Sequence, residues 1–390
     1  MKSNLLFPLL FFCLSAVSCA QSTGIFPSVS VSTSESEAVL PNPVSIAVDE
    51  ANAQIVVVNS NVDMLFGQGS LAVLSVDASD TAAPTLTAQK ILATPNYAGE
   101  AHFDGVSSLY VPFRESYQGL DTLDTMKKYT VAASDVTEAL TGTVAPDPFG
   151  ITGDGASLYV VSNDTLGIYD TSLGLQASVS LTTAETAGIA DTSAVNVLSV
   201  AVDATLDIAV ISNPGGRMFI VDLATNTLRQ AVDGPESTRN VLIDDAGIMY
   251  ILDAITEAVW VFDLNSLALP VATPESVEDS SFLVTSVSVG NGPYGMALDS
   301  ARNRLYVGNF DDDSVSVVDT LTLQEVDRIS LRQDDLSSYF LRDCDGPFAL
   351  STGTFNTVPY VFVACFLSHD VVMINTQTLR LVEIFPNTVL

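Results

Sequence analysis

One stretch, Arg304–Thr320 (RLYVGNFDDDSVSVVDT), preceded by GPYGMALDS at Gly292–Ser300, returns in altered copies about every fifty residues. An aspartate closes the first apolar segment of six copies, at Asp49, Asp104, Asp154, Asp203, Asp244 and Asp299, and Gly353 takes that place in the seventh. The intervals are 55, 50, 49, 41, 55 and 54 residues. A short turn follows each marker, then a run such as QIVVVN (54–59), SLYVVS (157–162), DIAVIS (207–212) or YVFVAC (360–365). A third run, such as LAVLSVD (71–77) or VWVFDL (259–264), usually closes on another Asp or Asn. The fourth, such as QEVDRISL (324–331), is the least apolar, as suits an outer edge. Four to seven β-branched residues between Asp, Asn, Gly and Pro are strand signals, and no stretch keeps a 3.6-residue period. The chain is therefore expected to be all-β. Seven four-stranded antiparallel units, each needing neighbours to cover its faces, predict a seven-bladed β-propeller over residues 41–390.

The sequence LYVGN…DDDSVSVVDT resembles the YVTN repeat of bacterial seven-bladed propellers, and the IAVD-type first segment resembles NHL repeats. The resemblance runs over residues 41–385 and implies an architecture, with no particular activity attached. Copies two (96–144) and four (192–232) depart most, with KKYTVAAS and AVISNPGG where the pattern is expected.

The first residues bear on compartment. Met1–Asn4 is a short basic start, Leu5 to Leu14 is almost wholly apolar, and Ala16-Val17-Ser18-Cys19 follows. This reads as a secretory signal, too short to span a bilayer as a helix. The small residues before Cys19 resemble the bacterial lipobox, which implies a signal over 1–18 and an acylated Cys19 as the mature N-terminus. That pattern favours Leu three residues before the cysteine, where this chain has Ala16; an ordinary signal with an unmodified cysteine is the alternative. Ala20-Gln21 lacks the Asp that retains lipoproteins at the inner membrane, so the expected place is the outer membrane, facing periplasm or cell surface. Residues 19–40 read as the lipidated cysteine and a Ser/Thr-rich tether, in which Ser28–Thr33 alternates well enough to supply a strand to the ring.

Two cysteines remain for the globule. Cys344 precedes an innermost strand and Cys365 ends the next, so a disulfide is expected in an oxidising envelope, with two buried thiols as the alternative. The charge balance is extreme, 46 acidic against 14 basic residues and a net of −32, which repels nucleic acid and anionic membrane surfaces. Membrane attachment is thus expected only through the lipid, and a monomer is the expected state.

Aligned on the marker aspartate, one residue per copy falls at the central mouth: Val44, Gly99, Phe149, Leu198, Arg239, Tyr294 and Phe348. Phe149, Arg239, Tyr294 and Phe348 on an apolar rim are candidates to hold a peptide, a glycan or an anionic small molecule; side chains that merely plug the channel are the alternative. Asp311, Asp312, Asp313, Asp343 and Asp345 should lie in loops on the same face. Their hard oxygens suit Ca²⁺, but EF-hand spacing is absent, and a solvated acidic loop is the simpler reading. No other cofactor is implied. The repeated aspartates are read as turn formers. His102 and His369 have no partner at ligand spacing, and G-x-S-x-G, H-E-x-x-H, glycine-rich phosphate loops and C-x-x-C are all absent. The function expected is a non-enzymatic binding or scaffold module at the envelope, with an unidentified protein, peptide or glycan ligand. The alternatives are a lactonase- or lyase-like enzyme acting in the channel, resting on fold analogy, and a Ca²⁺-dependent adhesion module.

Overall fold

The structure is a computed structural model that describes residues 40–81, 83–115, 123–181, 197–267, 275–278, 282–332 and 343–386. The signal segment, Cys19 and the tether up to residue 39 lie outside the described residues, as does the alternating stretch Ser28–Thr33.

Seven antiparallel sheets follow one another along the chain, each of four strands ordered from the axis outward, over 43–94, 102–143, 148–180, 200–233, 238–288, 293–330 and 347–385. They are blades 1 to 7. All-β architecture with seven four-stranded blades is what the repeat spacing predicts.

Burial explains why each run became the strand it did. Second strands such as Gln54–Asn59, Ile208–Asn213 and Val358–Cys365 are buried along their whole length, because neighbouring blades cover both faces. Outer strands such as Asp135–Thr143 and Gln324–Ser330 are mostly exposed. The turn aspartates also have a visible cause. Asp104 accepts from the backbone N–H groups of Val106, Ser107 and Ser108 at 2.8–2.9 Å. Asp154, Asp203 and Asp244 bind following amides in the same way. Asp299 differs, pairing with Arg302 at 2.9 Å instead.

Three details depart from a strict repeat. The first strand of blade 2 is only His102–Phe103. The first strand of blade 7, Pro347–Phe355, runs past Gly353 and turns at Asn356–Thr357, both with positive φ. Blade 4 carries a fifth strand, Glu275–Glu278, lent by the excursion before the last strand of blade 5 and paired parallel to Thr227–Asp233. It covers part of an edge that would otherwise be open.

Blade 1 is built from the N-terminal and blade 7 from the C-terminal described strands, so among the described residues no sheet spans the junction. Side-chain packing closes the ring. Ile46, Ile55, Val57 and Leu74 of blade 1 share one core cluster with Phe355, Tyr360, Phe362 and Met373 of blade 7. Asn42 donates its N–H to His369 Nδ1 at 3.0 Å, and Thr354 donates its N–H to Glu50 at 2.6 Å.

Candidate functional site

Innermost strands run along the axis, and the loop before each lies on the same face as the turn between second and third strands. Asn291 hydrogen-bonds Asp312 (2.8 Å), Gly346 hydrogen-bonds Asp313 (3.0 Å) and Ser237 hydrogen-bonds Asp253 (3.0 Å) across these two loop sets. This loop face holds the mouth. Val44, Phe149, Leu198, Tyr294 and Phe348, from five blades, all fall in one buried apolar cluster with Phe310 and Phe366. Tyr294 stacks on Phe348 at 4.1 Å between ring centroids, and Phe348 on Phe366 at 5.1 Å. Apolar side chains from five blades line the mouth. Gly99 contributes none, since a Cβ there would lie 2.3 Å from the Phe149 carbonyl oxygen.

Of the four candidate ligand residues, Tyr294 and Phe348 stack directly and the Arg239 guanidinium lies 5.8 Å from the Tyr294 ring centroid. Phe149 sits instead beneath Arg114, whose guanidinium is 5.3 Å from its ring centroid and 3.7 Å from Asp147.

One position after the mouth residue, four of the seven copies carry a polar side chain that repeat alignment alone did not single out: Ser45, Glu100, Ser199 and Asn240. Asn240 of blade 5 donates to Ser199 Oγ of blade 4 at 3.1 Å and to Glu100 Oε1 of blade 2 at 3.3 Å. Ser45 Oγ of blade 1 accepts from the Ala101 amide of blade 2 at 3.1 Å. Poor solvation pushes the Glu100 carboxyl up to about 8 from its ordinary 4.5, against the smaller opposing pull of Asn240 and Ser199. Burial likewise raises the Tyr294 phenol to about 12, with Arg239, Glu100 and Arg114 all close enough to act on it electrostatically. At neutral pH Glu100 is therefore a neutral acid in the channel wall.

A stability test follows from the sign of that shift. The folded state holds a proton on Glu100 between about pH 4.5 and 8 that the unfolded chain releases, so stability falls as pH rises through this window. A rise from 4.5 to about 8 corresponds to roughly 5 kcal/mol in the limit, and residual hydration of a half-buried side chain reduces it. Glu100→Gln is expected to gain about 2 kcal/mol at pH 8.5 and nothing at pH 4, read from urea unfolding at both pH values. An equal gain at both would contradict the assignment.

The acidic loops are spent largely on themselves. Asp313 accepts from Arg332 at 2.6 Å and from the Gly346 amide at 3.0 Å; Asp312 accepts from Asn291 and lies 3.6 Å from Arg328. Burial, then Asp312 and Asp313, raise Asp311, and burial with Asp313 raises Asp345, while Asp343 is exposed. Among the described residues no group of three or more His, Cys, Asp or Glu side chains is arranged to hold a metal ion. Also on this face, between blades 1 and 2, is a polar cleft of about 320 Å³ lined by Gln68, Thr94, Asn96 and Glu115.

Cys344 and Cys365 form a disulfide with Cα atoms 5.3 Å apart, buried at the seam of blades 6 and 7. His102 lies 6.3 Å from Tyr110 between ring centroids and burial lowers its pKa; His369 serves the ring junction.

No protein-family model matches the chain, and no curated protein matches its sequence. Among solved structures it is similar to a chain of Kuenenia stuttgartiensis hydrazine synthase, with a TM-score of 0.61 and 15% identity over 86% of this chain and 96% of that one. At that identity the likeness bears on fold alone, and it agrees with the propeller. No described helix is long and apolar enough to cross a membrane.

Residues missed by sequence reasoning left a faint trace. Glu100, Ser199 and Asn240 each follow a mouth residue, so the next column of the same alignment holds them. Phe310 and Phe366 each follow the last residue of a second strand.

Proposed function

We propose that this protein is a non-enzymatic β-propeller module of the cell envelope that binds or scaffolds a protein, peptide or glycan ligand on its loop face. The observation that carries the reading is the mouth itself: apolar side chains from five blades meet there, with the Arg239 guanidinium 5.8 Å from the Tyr294 ring centroid. The loop over residues 60–68 and the polar cleft between blades 1 and 2 lie on that same face. The repeat is of the YVTN/NHL type, the chain is a lipoprotein acylated at Cys19 and held at the outer membrane, and it works as a monomer without a cofactor.

One observation favours a second reading, a lactonase-like hydrolase or lyase. A carboxyl raised to about 8 near a buried phenol, which the Arg239 guanidinium also faces, is an arrangement that acid–base catalysts use.

Two measurements separate these and test the anchor. Purified protein is expected to give no turnover on a panel of lactones and esters; turnover lost in Arg239→Ala would replace the first reading by the second. Metabolic labelling with a tagged fatty acid in a bacterial host is expected to mark the wild-type chain and not Cys19→Ala. Equal labelling of both would remove the lipid anchor.

A further inference from the structure

Most basic side chains of this acidic protein already have an anionic partner. Arg302, Arg304, Arg328 and Arg332 each face an aspartate or glutamate, and Arg114 faces Asp147. Arg239 does not. It is half-buried, makes no ion pair among the described residues, and its Nε–H is buried without an acceptor. Tyr294 is only 8% exposed, and its hydroxyl is buried with no hydrogen-bond partner. Asn240 Oδ1 is the third such atom. These unpaired atoms come from neighbouring positions of blades 5 and 6, with the Arg239 guanidinium 5.8 Å from the Tyr294 ring centroid. A buried polar atom left unpaired costs about 1–3 kcal/mol, so two donors and one acceptor left unpaired together call for an occupant.

We propose that the axis just inside the mouth binds a compact carboxylate, which accepts from Arg239 Nε–H and Tyr294 Oη–H and is bordered by Asn240. This deepens, and rests on, the reading of the mouth as a binding site. A planar guanidinium suits a carboxylate, whose oxygens would take both orphaned donors. A half-turn of the Asn240 amide would complete the set. Its oxygen then accepts from the hydroxyl of Ser199 and the protonated carboxyl of Glu100, while its NH₂ points to the ligand. The neutrality of Glu100 near pH 7 removes the repulsion that an anion would otherwise meet. The groups facing it are Asn240 and Ser199, with Tyr294 within electrostatic reach, so above about pH 8 its ionisation sets a negative charge against the ligand. The carboxylate could belong to a free small molecule or to the C-terminus of a peptide.

Calorimetric titration of the full chain at pH 6.5 tests this, at matched ionic strength, with succinate, with a tripeptide ending in a free carboxylate and with the same tripeptide amidated. Saturable binding of succinate or of the free-ended peptide is expected, and none of the amidated form; whichever binds tells the source. Arg239→Gln should weaken it about tenfold and Tyr294→Phe about fivefold, as loss of a charge-assisted and a neutral hydrogen bond would. Circular dichroism checks that both variants fold. If either does not, the pH arm decides: wild-type affinity should fall as pH passes 8. No saturable heat from any probe, affinity unchanged in both folded variants, or a crystal structure with succinate showing ordered water alone at Tyr294 Oη would overturn the proposal. Such failure leaves the loop-face reading standing, whereas Arg239-dependent lactone turnover would remove that reading and leave the carboxylate contact in place.

Discussion

Alanine at position 295 is expected to destabilise the ring by about 3 kcal/mol or more, although it adds one methyl group in an ordinary region of backbone space. A Cβ on Gly295 would lie 2.2 Å from the Phe348 carbonyl oxygen and 3.2 Å from the Ala349 Cα. Both atoms belong to the backbone of the next blade's first strand, so no side-chain rotation relieves the contact, and blades 6 and 7 must part. Gly150 meets the Leu198 carbonyl oxygen at 2.4 Å in the same way. Where the matching residue has a side chain, it can bond to the next blade instead, as Ser45 does to Ala101 and Ser199 to Asn240. Thermal unfolding of Gly295→Ala should show Tm lowered by on the order of 5 °C. An unchanged Tm would mean that the blades are less closely set than described.

Reduction of the Cys344–Cys365 bond, or its loss in Cys344→Ser with Cys365→Ser, is expected to cost about 3 kcal/mol. The bond closes a loop with a sequence separation of 21, and its removal frees that much more of the unfolded chain. The cysteines sit in a core cluster shared by Tyr306, Val315 and Val317 of blade 6 and Val361 and Val363 of blade 7. The bond therefore clamps the last blade next to the ring junction, where packing and a few hydrogen bonds replace a continuous sheet. Urea unfolding with and without reductant measures the effect. A midpoint insensitive to reductant in a protein whose thiols have become titratable would show that the clamp carries little stability.

Both effects arise at seams between blades, and the seams divide what was legible from what was not. Blade number, strand order and the turn aspartates follow from local signals, since a β-branched run and the turn residue that ends it are adjacent in the chain. The mouth column was legible too, because a repeat places equivalent residues at equivalent heights. Its character was not. Whether Phe149, Tyr294 and Phe348 leave a pocket or fill it depends on distances across the axis, and those depend on how closely seven blades approach one another. Glu100 shows the same limit. In sequence it is one acid among 46. Only the ring sets it against Asn240, a residue 140 positions away, and removes enough water to keep it protonated.

Sequence alone determined the sheet content, the number of blades and the net charge of −32, because periodicity and charge are properties of the chain taken in order. Tertiary structure alone decided that apolar side chains of five blades meet at the mouth, that the acidic loops mostly satisfy themselves, and that Arg239 and Tyr294 keep unpaired donors there. The physical reason is that solvation and pairing of a side chain are set by atoms from other blades, and radial packing brings those together without regard to their order in the chain.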